Sequence, residues 1–215
     1  MTTDITVRGQ ARDIREPDRA ILSLVAKAEG PDGAKVHERV ADAMASLSAS
    51  VDALKAAHPG ALERISVSQA YQSNYPVKGV KRFTETVRVT ARFTDFHVMS
   101  EWAFGCSNEV VAIWGVQWVL SPEVLDEVRD QLGRAAVLDA RVRATTFAEA
   151  AGMSIIGVKA LADPGLLPGA RGDDDFGERF ALGAGGGPRG GDSTIDLTPE
   201  PIETIANVEA HFLAE

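Results

Sequence analysis

Runs of alternating apolar and polar residues constrain the fold of this chain more than any other feature. The clearest run covers residues 83–94, where the apolar Phe83, Val87, Val89, Ala91 and Phe93 alternate with Thr84, Thr86, Arg88, Thr90, Arg92 and Thr94. A period of two places these two classes on opposite faces of a β-strand. One apolar face and one polar face indicate an antiparallel sheet that is covered on a single side.

The same pattern predicts further strands at residues 5–12, 20–28, 65–75, 109–120, 155–162 and 202–213. We expect the first two to pair with each other like a hairpin. The strand at 65–75 is expected to form a second hairpin with the run at 83–94, because Pro76 to Gly79 can supply the turn. In the strand at 109–120, Trp114, Val116, Trp118 and Leu120 are expected to share one face.

Helical periodicity separates these strands. Apolar residues recur at spacings of three and four from Val36 to Leu54, after the potential N-cap Asp32. A second long helix is expected to begin at Ser121-Pro122-Glu123 and to end near Ala151, before Gly152. A short helix is expected at 96–104. The predicted class is α+β, with mainly antiparallel sheets packed against two long helices.

Residues 163–195 differ from the rest of the sequence, because ten of the 20 glycines lie there, together with the acidic triplet Asp173–Asp175. The apolar residues of this segment follow no sustained helical or strand period. We predict a flexible, glycine-rich loop that precedes the final strand and is dispensable for folding.

The formal net charge of -9 argues against nucleic acid and against an anionic membrane surface as partners. No stretch approaches the length of an apolar membrane span, and the N-terminus does not have the pattern of a secretory signal. The single cysteine, Cys106, cannot form an internal disulfide. These features predict a cytoplasmic protein.

Three segments resemble the SIMPL-domain family in the same order along the chain. They are the opening Val7-x-Gly9 with Pro17-Asp18-Arg19-Ala20, the predicted hairpin at 65–96, and the helical run through Ala136, Asp139-Ala140, Ala144, Ala148 and Gly152. The resemblance implies a single α+β domain over residues 1–215, a tendency to self-associate and a stress-related role. The family has no agreed catalytic residues, so the resemblance implies none here.

Residue patterns for metal or phosphate binding are weak. His37, His58, His97 and His211 are not paired at the spacing of metal ligands, so we expect no metal site. The acids of Asp173–Asp175 are adjacent rather than alternating, which does not fit a calcium loop. The glycine run at 183–187 has no Lys-Ser/Thr and no helix after it, so it does not fit a phosphate-binding loop. We expect no cofactor.

Cys106 is the one candidate nucleophile, but it follows a predicted helix instead of preceding one, and no base is evident beside it. We predict that it is structural and not catalytic. Trp114 and Trp118 are expected to pack beneath the second long helix, although a ligand-stacking platform is the alternative use.

These observations favour a non-enzymatic assembly or binding protein that forms a homo-oligomer. Its expected interface is the polar strand face with Thr84, Thr86, Arg88, Thr90 and Arg92. The alternative is a small-molecule-binding or thiol-based stress-response activity near Cys106, Trp114 and Trp118. A low thiol pKa would favour the alternative, and a partner-binding sheet face would favour the first hypothesis.

Overall fold

A computed structural model describes residues 2–77, 79–167 and 198–215 of the chain. In these residues the protein is α+β, with antiparallel sheets and three helices, which confirms the predicted class. Its elements, in chain order, are β1 (Thr3–Arg15), β2 (Arg19–Gly30), α1 (Gly33–Ala57), β3 (Leu62–Val67), β4 (Tyr71–Val77), β5 (Val80–Phe93), α2 (Phe96–Cys106), β6 (Val111–Val119), α3 (Pro122–Ala150), β7 (Ile155–Ala162) and β8 (Ile202–Ala214).

The described residues form two compact units. The first unit comprises residues 2–16, 120–167 and 201–215. The second unit comprises residues 17–77, 79–119 and 198–200. Each unit has a hydrophobic core of its own.

The first unit is a three-stranded antiparallel sheet in the order β1-β8-β7, with α3 packed on one face. A stripe of fully buried alanines on α3 makes the contact, at positions Ala136, Ala140, Ala144 and Ala148. Gly9 of β1 lies beneath this stripe, and a Cβ atom at Gly9 would come within 2.0 Å of the Ala136 carbonyl oxygen. The helix therefore approaches the strand so closely that only glycine fits.

The second unit is a five-stranded antiparallel sheet whose central strands are β5 and β2. β3 and β4 lie one after the other along the same side of β5, and β6 pairs with the far side of β2. α1 and α2 cover one face, where Leu22, Leu24, Val89 and Phe93 are almost completely buried. The opposite face, which we call the open face, carries the polar residues of β5.

The N-terminus of α1 forms as the sequence predicts. The Asp32 carboxylate accepts hydrogen bonds from the backbone N–H groups of Ala34 and Lys35, and the helix ends at the C-cap His58 before Pro59. Ser121 occupies the N-cap position of α3, but its side chain makes no capping hydrogen bond. Gly152 stops α3 with φ +73°, a conformation that favours glycine.

The predicted hairpin of the first two strands is wrong. β1 pairs along its whole length with β8, whereas β2 pairs with β5 and β6. The two neighbours in sequence belong to different units, because their apolar faces pack against different helices. Alternation identifies a strand, but it does not identify the partner of that strand.

The predicted strand at 65–75 is two strands, and its apolar residues Ile65 and Tyr71 lie on opposite faces of the sheet. Val67 lies opposite Val89 and Tyr71 lies opposite Thr86, so four residue steps on one side match three on the other. The extra residue reverses the alternation. Ile65 consequently packs against the core, whereas Tyr71 lies on the open face with Thr86.

A similar irregularity interrupts β6. Ser23 of β2 lies opposite Gly115 and Leu24 lies opposite Ile113, so Trp114 is an extra residue in the ladder. The expectation that Trp114 shares the buried face of Trp118 is therefore wrong. Trp118 packs against Phe96 of α2, within the core of the second unit. Nearly all of the segment predicted as a glycine-rich loop, residues 163–195, lies outside the described residues.

Candidate functional site

The open face brings together all five residues of the expected interface. Because side chains alternate along a strand, these even-numbered residues of β5 share one side of the sheet. Arg88 and Thr90 are exposed, and the remaining three are partly exposed, namely Thr84, Thr86 and Arg92. The sequence pattern therefore located a continuous polar row on a central strand.

Register adds two cations to this row that the sequence analysis missed. Lys27 of β2 lies directly opposite Thr86, and Arg64 of β3 lies directly opposite Arg92. Directly opposite residues project from the same face. No local pattern could have found this grouping, since Arg64 and Arg92 are brought together only by the pairing of β3 with β5.

The cations of the open face fall into two classes. Arg82 and Arg19 are neutralised, by Glu29 at 3.0 Å and by Glu63 at 3.4 Å. Lys27, Arg64, Arg88 and Arg92 form no ion pair with any residue that the structure describes. The face therefore carries a local positive charge, although the chain as a whole has a formal net charge of -9.

Tyr75 and Glu29 mark one end of the open face. Tyr75 lies opposite Arg82 in the ladder of β4 and β5. A hydrogen bond to Glu29 is the main reason why the pKa of the Tyr75 hydroxyl is raised, and the nearby Arg82 partly opposes it. At neutral pH Tyr75 is therefore a neutral hydrogen-bond donor and adds no charge to the face.

On the opposite side of β5, Glu85 breaks the otherwise apolar pattern and is buried. Gln72 Nε2 donates a hydrogen bond to Glu85 Oε2 at 2.8 Å, and His37 Nδ1 lies 3.1 Å from both carboxylate oxygens. A carboxylate that orients an imidazole is also found in acid–base sites. The His37 side chain is 63% exposed, however, and it does not line the surface depression along α3 or the one at the end of α1.

Cys106 is the last residue of α2, and its Sγ lies 3.3 Å from Ser50 Oγ. The Ser50 hydroxyl donates to the Leu47 carbonyl oxygen at 2.7 Å and accepts from Trp102 Nε1 at 3.2 Å. Burial raises the pKa of the Cys106 thiol, and the hydrogen bond with Ser50 opposes this less strongly. The thiol is thus protonated at neutral pH, whereas a reactive cysteine has a lowered pKa.

The two tryptophans of β6 do not form one platform. Trp114 is 61% exposed, whereas Trp118 is 8% exposed and packs edge-on against Phe96 with ring centroids 4.9 Å apart. The ligand-stacking alternative requires both rings on one face of β6, and these two rings differ in exposure. Small-molecule binding near Cys106, Trp114 and Trp118 stays a prediction.

Other possible sites are sparse. No group of three potential metal ligands occurs within residues 2–77, 79–167 and 198–215. One shallow surface depression lies along α3 beside Gly133 and Leu138, and another lies at the end of α1 beside His58 and Asp95. None of the three described helices has the length and apolarity that a membrane crossing requires.

Comparison with protein families matches residues 5–212, nearly the entire chain, to the family described as "SIMPL: Protein of unknown function (DUF541)". The chain belongs to the SIMPL family. This confirms the resemblance seen in the sequence motifs, and it leaves the activity open because the family itself has no established function. No curated protein matches the SIMPL chain.

Solved structures resemble this SIMPL protein only distantly. CutA1 from the psychrotrophic bacterium Shewanella sp. SIB1 is 16% identical with a TM-score of 0.29, over 54% of this chain and 95% of its own. A hydantoinase/carbamoylase family amidase from Burkholderia ambifaria is 18% identical with a TM-score of 0.29, over 46% of this chain and 29% of its own. Neither similarity carries an argument about function.

Proposed function

We propose that this SIMPL protein is a non-enzymatic binding protein and that the open face of the five-stranded sheet is its interaction surface. The observation that carries the proposal is a set of four cations on one face that form no ion pair with any described residue, namely Lys27, Arg64, Arg88 and Arg92. Charged side chains that are exposed and unpaired attract a complementary partner and increase its association rate.

The geometry supports partner binding better than chemistry. The only cysteine has a raised thiol pKa, and the pair of His37 and Glu85 lines neither surface depression. The face of a five-stranded sheet, by contrast, offers the broad area that protein interfaces use.

Self-assembly through this face alone is less favourable than binding of a different partner. A two-fold contact places the same patch of each copy against the other. The unpaired cations of one copy would then meet those of the second copy, and such like-charge contacts cost several kcal/mol. The open face is therefore proposed to bind a different protein, and the homo-oligomer that the family resemblance implies is a separate prediction.

A comparison of three proteins as affinity baits tests the proposal. The baits are the wild-type chain, the open-face variant R88Q/R92Q and the control variant R141Q/R143Q, which removes the same charge from exposed positions of α3. We expect that some proteins of the native lysate bind to the wild type and to the control but not to the open-face variant. Identical sets from all three baits would refute the open face as the interaction surface.

A further inference from the structure

We infer that the open face binds an acidic, extended polypeptide segment of another protein, with carboxylates at alternate positions of that segment. This inference rests on the proposed function, because it names the chemistry of the partner for the same surface. It is carried by the spacing of the cations, by the hydroxyl groups between them and by the absence of a matching segment in this chain.

The cations follow the repeat of the strand. Lys27 lies in the row of Thr86, Arg88 lies one row further along β5, and Arg92 with Arg64 lies two rows beyond Arg88. Rows on one face repeat at about 6.6 Å, so these cations span about 20 Å along β5. An extended peptide that runs along β5 presents every second side chain at the same repeat.

Hydroxyl groups fill the row between Arg88 and Arg92. Thr90 lies there with Ser66 of β3 on one side and Ser23 of β2 on the other. Hydroxyls donate hydrogen bonds to carboxylate oxygens. A carboxylate above this row would therefore accept hydrogen bonds from the hydroxyls, with cations in the rows on either side. This arrangement matches a segment that places one carboxylate above each consecutive row.

Arg64 and Arg92 also repel each other in the free protein. Like charges directly opposite one another in a sheet are destabilising, and neither arginine has an ion pair within the described part of the chain. A carboxylate between the two guanidinium groups removes this repulsion and accepts strong, charge-assisted hydrogen bonds. The arrangement thus lowers the stability of the free protein and favours the bound state.

Two other occupants fit less well. The exposed tyrosines of this face, Tyr71 and Tyr75, lie in the rows of Thr86 and Arg82, at one end of the cations. The rows of Arg88, Thr90 and Arg92 hold aliphatic or hydroxyl side chains on β2, so a single-stranded nucleic acid along these rows would find no aromatic side chain of β2 on which its bases could stack. A second copy lacks the matching segment, because no stretch of this sequence has three acids at consecutive alternate positions.

Fluorescence anisotropy with a labelled peptide of about ten alternating Glu and Ser residues tests the inference, since an extended peptide of this length covers the 20 Å of cations. The full-length wild type should bind it at low ionic strength, and added salt should weaken the binding. The R88Q/R92Q variant should bind at least about tenfold more weakly, as charge-assisted hydrogen bonds are lost. The R141Q/R143Q control shows whether the weaker binding comes from the lower total charge of the protein. A peptide with Gln in place of Glu shows whether binding needs the carboxylates.

Several results would overturn the inference. Among them are the absence of binding at low salt, equal binding by both double variants, and equal binding of a peptide whose glutamates form one block. Stronger competition by a single-stranded oligonucleotide of equal charge would assign the face to nucleic acid. A lower mass of R88Q/R92Q than of wild type in light scattering would assign it to a second copy. A lack of peptide binding would refute the acidic partner, whereas the lysate comparison would still test whether the open face binds another protein. The two proposals can therefore be refuted independently.

Discussion

At the scale of single residues, Gly9 shows how one side chain limits the packing of the first unit. The close approach of α3 leaves no room for a Cβ atom, which would lie 2.0 Å from the Ala136 carbonyl oxygen and 2.7 Å from the Ala140 backbone nitrogen. Both neighbours are backbone atoms of a helix, so they cannot move aside separately.

We therefore expect Gly9→Ala to lower the free energy of unfolding by about 3 kcal/mol or more, because overpacking forces backbone shifts. Gly133→Ala is the matched control, since Gly133 lies on α3 with nothing within 4 Å of the added Cβ atom. That change should raise stability by up to about 1 kcal/mol through helix propensity. Urea unfolding measures both variants, and equal effects would contradict the close contact.

Cys106 gives a prediction at the same scale. Because burial raises the pKa of its thiol, labelling by a thiol reagent in the folded protein should be slow at neutral pH. The rate should keep rising with pH through about 8.5, the pKa of an unperturbed thiol, and should level off only above that value. A rate that already levels off below pH 7 would indicate an activated cysteine instead.

The raised thiol pKa also predicts how the stability of the protein depends on pH. A group whose pKa is higher in the folded state stabilises the protein below its unfolded pKa, and this contribution is lost as the pH rises through the folded pKa. The wild type should therefore lose stability on the alkaline side more steeply than Cys106→Ala. Unfolding measured from pH 7 to pH 10 would refute the raised pKa if the two curves run parallel.

At the scale of elements, the irregularity in β6 decides which tryptophan belongs to the core. Trp118→Ala should cost about 3–5 kcal/mol, because the lost ring packs against Phe96 in the core of the second unit. Trp114→Ala should change stability by only about 0.5 kcal/mol, since the side chain is exposed. Thermal unfolding of the two variants compares them directly, and similar losses would place Trp114 in the core.

At the scale of the whole molecule, the homo-oligomer implied by the family resemblance stays a prediction. Among the described residues β7 is an edge strand of its sheet, and its exposed Val158 and Leu161 offer an apolar edge for another strand. We expect light scattering to give a multiple of 22.8 kDa. Val158→Asp should lower that mass, whereas Val142→Asp on α3 should not. A monomer mass over a broad concentration range would remove the prediction.

The class of the fold and most of its elements could be predicted from the sequence alone. Strand alternation and helix periodicity are local properties, so β5, α1 and α3 could be recognised from side-chain spacing alone, and the row from Thr84 to Arg92 could be assigned to one face. The four alanines of α3 were recognised in the sequence as one helical run, and the structure located Gly9 as their packing partner.

Strand partners and the positions of the extra residues became visible only in the folded protein. Strand partners are chosen by apolar faces far apart in sequence, which is why β1 pairs with β8 and not with β2. One extra residue between paired strands reverses the alternation, as at Trp114 and before Tyr71, and no local pattern records it. The same long-range register places Arg64 opposite Arg92. A positive face in an acidic chain therefore arises from strand pairing, because charge summed along a sequence is independent of which side chains become neighbours in the sheet.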